Sequence, residues 1–146
     1  MRLTTFTDYS LRVLIHVASA PEGRATIAEI ARVFAISEHH LVKVVHRLGK
    51  AGFLANRRGH GGGLRLARPA RDIGIGQVVR ATEGPDVPAG CFGDARNTCV
   101  LSGGCRLAGV LMEATRAFHE VLDRYTLEDL VSDRAAIVFI LHRHAA

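Results

Sequence analysis

The chain has 146 residues, 48% of them apolar, with three Cys and no Trp, a size that buries one ordinary core. No apolar run is long enough for a bilayer span, and the Met-Arg-Leu start lacks the apolar stretch of a secretory leader, so a membrane or disulfide-framework class is excluded and a cytoplasmic protein is expected. The formal charge of +5 conceals an asymmetry: residues 1–72 hold twelve Lys and Arg against five Asp and Glu, a net of +7, while residues 73–146 hold seven against nine, a net of −2, which puts a polyanion-binding face in the first half.

Residues 8–20 place Leu11, Leu14, Ile15 and Ala18 at helical spacing, an apolar face that ends at Pro21-Glu22-Gly23. Thr26-Ile27-Ala28-Glu29 is a capping box that opens a short helix through Phe34. Ala35-Ile36 then makes a tight turn, and Ser37 is a good N-cap for a third helix to about Lys50, with Leu41, Val44, Val45 and Leu48 inward. Two short helices joined by such a turn form a helix-turn-helix, whose second helix enters the major groove by its N-terminal end. That end is Ser37-Glu38-His39-His40, followed by Lys43, polar side chains suited to base edges or phosphates.

After Ala51-Gly52, the run Phe53-Leu54-Ala55-Asn56-Arg57-Arg58 reads as a strand, Gly59-His60-Gly61-Gly62-Gly63 as a flexible tip, and Leu64-Arg65-Leu66-Ala67-Arg68 as the return strand. A basic hairpin directly after a recognition helix is a wing, able to lay Arg57, Arg58, His60 or Arg65 on phosphates or in a minor groove. The Gly run lacks the Gly-Lys-Ser/Thr ending and following helix of a nucleotide loop.

A short helix is expected over 75–83, broken by Gly84-Pro85-Asp86-Val87-Pro88. From about Arg106 the chain turns helical again. There Leu107, Leu111, Ala114, Phe118, Val121 and Tyr125 recur at alternating four- and three-residue steps, the seam of a coiled coil. A symmetric homodimer built on that seam presents two recognition helices to a pseudo-palindromic operator in double-stranded DNA; packing of the seam on the chain's own body is the alternative. Thr126-Leu127-Glu128-Asp129 caps a final short helix, and residues 137–141 form an apolar stretch to which no role is assigned.

Cys91, Cys99 and Cys105 lie within fifteen residues in a Gly-rich stretch. An odd number of thiols cannot all pair within one chain, and thiolates select zinc, copper(I) or iron-sulfur clusters. Structural zinc favours closely paired cysteines, whereas this spacing, Cys-x7-Cys-x5-Cys, wraps a larger object and favours a cluster. Packing of the cysteines as small apolar residues is disfavoured by their loop-forming neighbours Gly90, Gly93, Asp94, Asn97, Gly103 and Gly104.

The pattern expected is mainly α with a small β-hairpin: a winged helix-turn-helix domain over 1–72, then a cluster-binding loop over 85–105 and a long dimerisation helix with its C-terminal tail in 73–146. The opening Leu3-Thr4-Thr5-Phe6-Thr7-Asp8-Tyr9-Ser10-Leu11-Arg12, the wing, the three cysteines with Cys105-Arg106-Leu107, and Tyr125-Thr126-Leu127-Glu128-Asp129-Leu130-Val131 resemble the iron-sulfur winged-helix transcription regulators, the family that includes IscR and NsrR. The resemblance covers nearly the full length. It implies an iron-sulfur cluster, 4Fe-4S in preference to 2Fe-2S, on Cys91, Cys99 and Cys105. The IscR-like branch completes its cluster with a His three residues after the last Cys, where this chain has Ala108. The nitric-oxide-sensing branch resembles this chain in carrying an Asp in the first helix, here Asp8, which there supplies the fourth ligand from the partner subunit. Asp8 also reads as a first-turn carboxylate favoured by the helix dipole. The resemblance thus implies a repressor of nitric-oxide detoxification genes, relieved when nitric oxide nitrosylates the cluster.

Three alternatives use the same cysteines: an iron or redox sensor, a zinc- or thiol-based regulator, or a redox enzyme. No Ser-His-Asp, His-Glu-x-x-His or paired-carboxylate pattern supports catalysis, and the eight His are scattered.

Overall fold

The computed structural model describes residues 2–57, 59, 62–84 and 105–145. Helix α1 spans Thr5–Ser19 and is capped by Thr4, whose hydroxyl accepts the Thr7 amide at 3.3 Å. Its inward face is Thr7, Ser10, Val13, Leu14 and Val17. That corrects the expected stripe, because Leu11, Ile15 and Ala18 are only half-buried at the edge of the core. The buried hydroxyls of Thr7 and Ser10 are tolerated there because both have a partner: Thr7 Oγ1 donates to Thr82 Oγ1 at 2.8 Å and Ser10 Oγ to the Phe6 carbonyl at 2.8 Å. An apolarity count cannot register polar residues that bury themselves in this way.

Helix α2, Ile27–Phe34, begins with the capping box as expected: Glu29 N donates to Thr26 Oγ1 at 3.2 Å and Thr26 N to Glu29 Oε2 at 2.7 Å. It ends on Ala35 with φ of 53°, the left-handed residue of the tight turn. Helix α3, Glu38–Lys50, follows its Ser37 cap and buries Leu41, Val44, Val45 and Leu48. Strands β1, Leu54–Arg57, and β2, Gly63–Leu66, pair antiparallel with Leu54 opposite Leu66 and Arg57 opposite Gly63. The hairpin is fastened to the body by Ala25, which exchanges both main-chain hydrogen bonds with Leu64 at 3.1 and 2.8 Å.

A turn of 3-10 helix, Ala70–Asp72, leads into α4, Ile75–Glu83. Helix α5 covers Arg106–Leu122, α6 covers Leu127–Leu130 behind the Thr126 capping box, and α7 covers Arg134–Ala145. Two features depart from the sequence-based expectation. Tyr125 is not part of the long helix: α5 closes at Leu122, and the Tyr125 carbonyl accepts the Ile75 amide at 2.9 Å. The apolar stretch 137–141 lies within α7, which packs against α1 and α2 and is tied down by Arg134, whose guanidinium donates to the carbonyls of Ser19, Ala20 and Pro21 at the C-terminal end of α1.

One core runs through these elements. Val13, Leu14, Val17, Ile30, Leu41, Leu48 and Leu64 share it with Ile73, Ile75, Val78, Val79 and Leu127. At 25–30 cal/mol per Å² of apolar area removed from water, such burial is the main stabilising term.

Both capping carboxylates are held below their ordinary ranges, chiefly by the backbone amide of the cap threonine: Glu29 by Thr26 and Asp129 by Thr126. A depressed carboxylate adds stability that is complete above its ordinary value and disappears as pH falls through the lower folded value. Stability should therefore start to fall below pH 4.5 through Glu29 and below 3.8 through Asp129. Urea titrations of Glu29→Gln should show a shallower acid slope than wild type, with a loss at pH 7 of about 1 kcal/mol or less. Identical slopes would show that the box contributes nothing to acid sensitivity.

Candidate nucleic-acid interface and metal-ligand set

Capping sets the aim of the reader helix. Ser37 Oγ accepts the His40 amide at 3.4 Å, so its hydroxyl is engaged locally, while Glu38, His39, His40 and Lys43 are exposed on the side of α3 away from its buried leucines and valines. The other end of α3 is anchored: Arg47 Nε donates to the Ala81 carbonyl, 2.9 Å away in the last turn of α4.

On the wing, Arg57 is exposed at the end of β1. Arg65 is half-buried and donates through Nη1 to the Glu22 carbonyl at 2.8 Å, so its guanidinium already serves the body of the protein. Arg58 and His60 lie outside the described residues. Arg24, not singled out from sequence, donates through Nη1 to the Gly62 carbonyl at 3.2 Å and pairs with Glu22 at 3.3 Å.

Of the expected sulfur ligands, Cys91 and Cys99 also lie outside the described residues. Cys105 is a half-buried free thiol at the N-cap of α5, and no side chain among the described residues caps the helix. Uncapped amides make that end electropositive, a setting suited to a metal-bound thiolate. No group of three candidate ligands gathers among the described residues. Asp8 lies half-exposed in the first turn of α1 and forms a two-point pair with Arg12, Oδ2 to Nη2 at 2.9 Å and Oδ1 to Nε at 3.0 Å. Arg12 in turn lies over the Phe34 ring, 5.9 Å from its centroid. Sequence reasoning overlooked Arg12, although its four-residue spacing from Asp8 is the helical ion-pair signal.

The start of α1 is also joined to the end of α4. Thr4 N donates to Glu83 Oε1 at 2.6 Å, one residue before Gly84, where the described chain stops ahead of the cysteines. That hydrogen bond ties the start of the helix bearing Asp8 to the end of α4.

On α5, Leu107 at 61% and Val121 at 47% are exposed, as is Ala114, and beyond the helix the Tyr125 ring is 49% exposed. Leu111 is half-buried and Phe118 packs against the core. Val110 and Met112 widen the exposed apolar surface beyond the expected seam.

The model of the Rrf2 family, described as an iron-dependent transcriptional regulator, matches residues 3–133. The chain belongs to the Rrf2 family. Among its relatives are proteins called HTH-type transcriptional regulator NsrR: that of Bacillus subtilis (strain 168) is 47% identical over 142 residues, covering 97% of both chains, and that of Geobacillus kaustophilus (strain HTA426) is 48% identical with the same coverage. Among solved Rrf2-like structures, T. potens IscR superposes with a TM-score of 0.73 at 28% identity, over 91% of this chain and 88% of that one. CymR, the global cysteine regulator of B. subtilis, gives 0.69 at 30% identity over 90% and 97%. This Rrf2 protein is thus a transcriptional regulator rather than an enzyme, with the mostly helical winged fold of its neighbours. No helix among its described residues is long and apolar enough to cross a membrane.

Proposed function

We propose that the protein is a cytoplasmic, homodimeric, DNA-binding repressor that responds to nitric oxide through an iron-sulfur cluster, 4Fe-4S in preference to 2Fe-2S, and controls nitric-oxide detoxification genes. Cys91, Cys99 and Cys105 would hold the cluster, with Asp8 of the partner subunit as the oxygen ligand. When bound, the cluster supplies iron that reacts with nitric oxide. The division of labour is a reader over 1–72 and a cluster-and-dimer arm over 73–146. The α5 surface of Leu107, Leu111, Ala114, Phe118 and Val121, with Tyr125 beyond it, forms the dimer interface. Ser37, Glu38, His39, His40, Lys43, Arg57, Arg58, His60 and Arg65 face DNA, with Arg65 acting from its Glu22 anchor.

The Asp8–Arg12 pair carries this reading. A carboxylate that ligates iron leaves its arginine, and a carboxylate released from iron returns to it, so Arg12 has two alternative states. Because Arg12 also covers Phe34 at the end of α2, its position bears on the turn that aims α3. The second route runs through Glu83 and α4 to the Arg47–Ala81 contact. Two packings biased by one site are what an allosteric switch requires. Support for nitric oxide over iron as the signal comes from Ala108, which leaves no imidazole three residues after Cys105, and from the NsrR name carried by relatives 42–48% identical.

The test begins with anaerobic purification and measurement of visible absorption, iron and acid-labile sulfide, then selection of an operator from random duplexes. Anaerobic nitric oxide should release the operator within minutes, while an iron chelator over the same time should not; the reverse order would assign the protein to iron sensing. In Asp8→Ala the cluster should decay faster and operator binding should lose its nitric-oxide response, with folding stability changed by about 0.5 kcal/mol or less because the broken pair is at the surface. Unchanged cluster lifetime and unchanged response would remove Asp8 from the ligand set.

A further inference from the structure

A cavity of about 220 Å³ lies between α1, α2 and α7, bounded by His16, Ser19, Arg24, Glu29, Arg32, Val33, Val138 and Leu141. The proposed cluster chemistry makes no use of it. Its walls combine an apolar body from Val33, Val138 and Leu141 with a cationic rim from Arg24 and Arg32. Arg32 makes no ion pair or hydrogen bond among the described residues. Glu29 shares the wall as a charged carboxylate drawn toward His16 and Arg24, which leaves Arg32 as the rim cation with no carboxylate of its own among the described residues. Ser19, 1% exposed, also lines it, and its Oγ has no hydrogen-bond partner among the described residues, an uncommon state for a buried hydroxyl. The roof is α7, secured over the end of α1 by Arg134.

We infer that this cavity is an effector site for a small monocarboxylate with an apolar or aromatic body, and that Arg24 transmits its occupancy to the wing. The space exceeds the roughly 150 Å³ of an engineered cavity that admits benzene, so a ring with a short acidic arm fits. The carboxylate would take Arg32 and draw Arg24 away from Glu22, which holds it at 3.3 Å, with the body against Val33, Val138 and Leu141. Arg24 now holds the Gly62 carbonyl at 3.2 Å. An arginine recruited to a carboxylate gives up that weaker contact, which loosens the strand that Gly63 begins. Binding itself does not depend on the DNA reading, and the two fail separately.

Phenylacetate is the probe, with 2-phenylethanol and phenethylamine as neutral and cationic controls, added to the full chain purified under anaerobiosis. Calorimetry should give saturable binding at one per chain with Kd of about 1 mM or tighter, and at least tenfold weaker binding of both controls. Arg32→Gln should weaken it about tenfold, and Val138→Trp, which fills the cavity, should abolish it; circular dichroism confirms that each variant folds. Amide exchange in the peptide containing Gly62 and Leu64 should rise several-fold in saturating phenylacetate, and Arg24→Gln should show that faster exchange without ligand. No saturable binding up to about 10 mM, equal binding of phenethylamine, or persistence in Val138→Trp would overturn the site. Binding that leaves wing exchange unchanged would overturn the effector role.

Discussion

Cys105→Ser is expected to give a folded, colourless protein whose affinity for the selected operator is about 100-fold lower and no longer responds to nitric oxide. Such a drop corresponds to about 3 kcal/mol of coupling between cluster and DNA, within the ordinary range for allosteric regulators. The substitution separates ligand chemistry from folding unusually well. Cys105 occupies the N-cap of α5, where it makes no cap hydrogen bond, and Ser is among the preferred residues at that position. The helix should therefore be as stable or slightly more stable, while the soft thiolate is replaced by an alcohol that binds iron poorly. Absorption spectra, iron content and operator titrations on the same preparation decide the matter. A variant that kept wild-type bands and affinity would exclude Cys105 as a ligand.

Gly63→Ala should cost far more stability than Gly59→Ala at the tip of the same wing. Gly63 has φ of 141°, and a Cβ there would meet the Ala25 carbonyl oxygen at 2.9 Å and Arg24 Cγ at 3.0 Å. The first contact is backbone and belongs to the bridge that fastens the hairpin to the body. Neither strain nor clash can be relieved by a side-chain rotation, so the Ala25–Leu64 bridge has to open. We expect a loss of about 2 kcal/mol or more, read as a lower urea midpoint, with DNA affinity falling because Arg57 no longer sits at a fixed distance from α3. Gly59→Ala is the contrasting control, since its Cβ meets nothing within 4 Å although φ is 99°. It should cost only the backbone strain. Equal midpoints for the two variants would show that the bridge does not hold the wing.

The parts legible in the sequence are those written in short-range chemistry. The Thr26 and Thr126 boxes and the Ser37 cap are each a matter of side chains three residues apart, and all three appear as read. The reader face follows from them, since Leu41, Val44, Val45 and Leu48 point inward and leave His39, His40 and Lys43 outside. The inward face of α1 is not legible in the sequence because Thr7 and Ser10 count as polar in any pattern, yet satisfy their hydroxyls within the fold. Helix α7 was not read because residues 134–145 show no clean apolar stripe; its placement depends on Arg134 reaching carbonyls more than a hundred residues away. Arg12 was available from its spacing to Asp8. The role of Arg65 was not, because its partner is a distant backbone carbonyl.

The shared core bears on how such a regulator can be rebuilt. A fragment ending at Asp72 would lose Ile73, Ile75, Val78, Val79 and Leu127, each 5% exposed or less, and would open the inner side of α1 to water. Chimeras that graft this DNA reader onto another input must therefore carry α4 and α6 along with it.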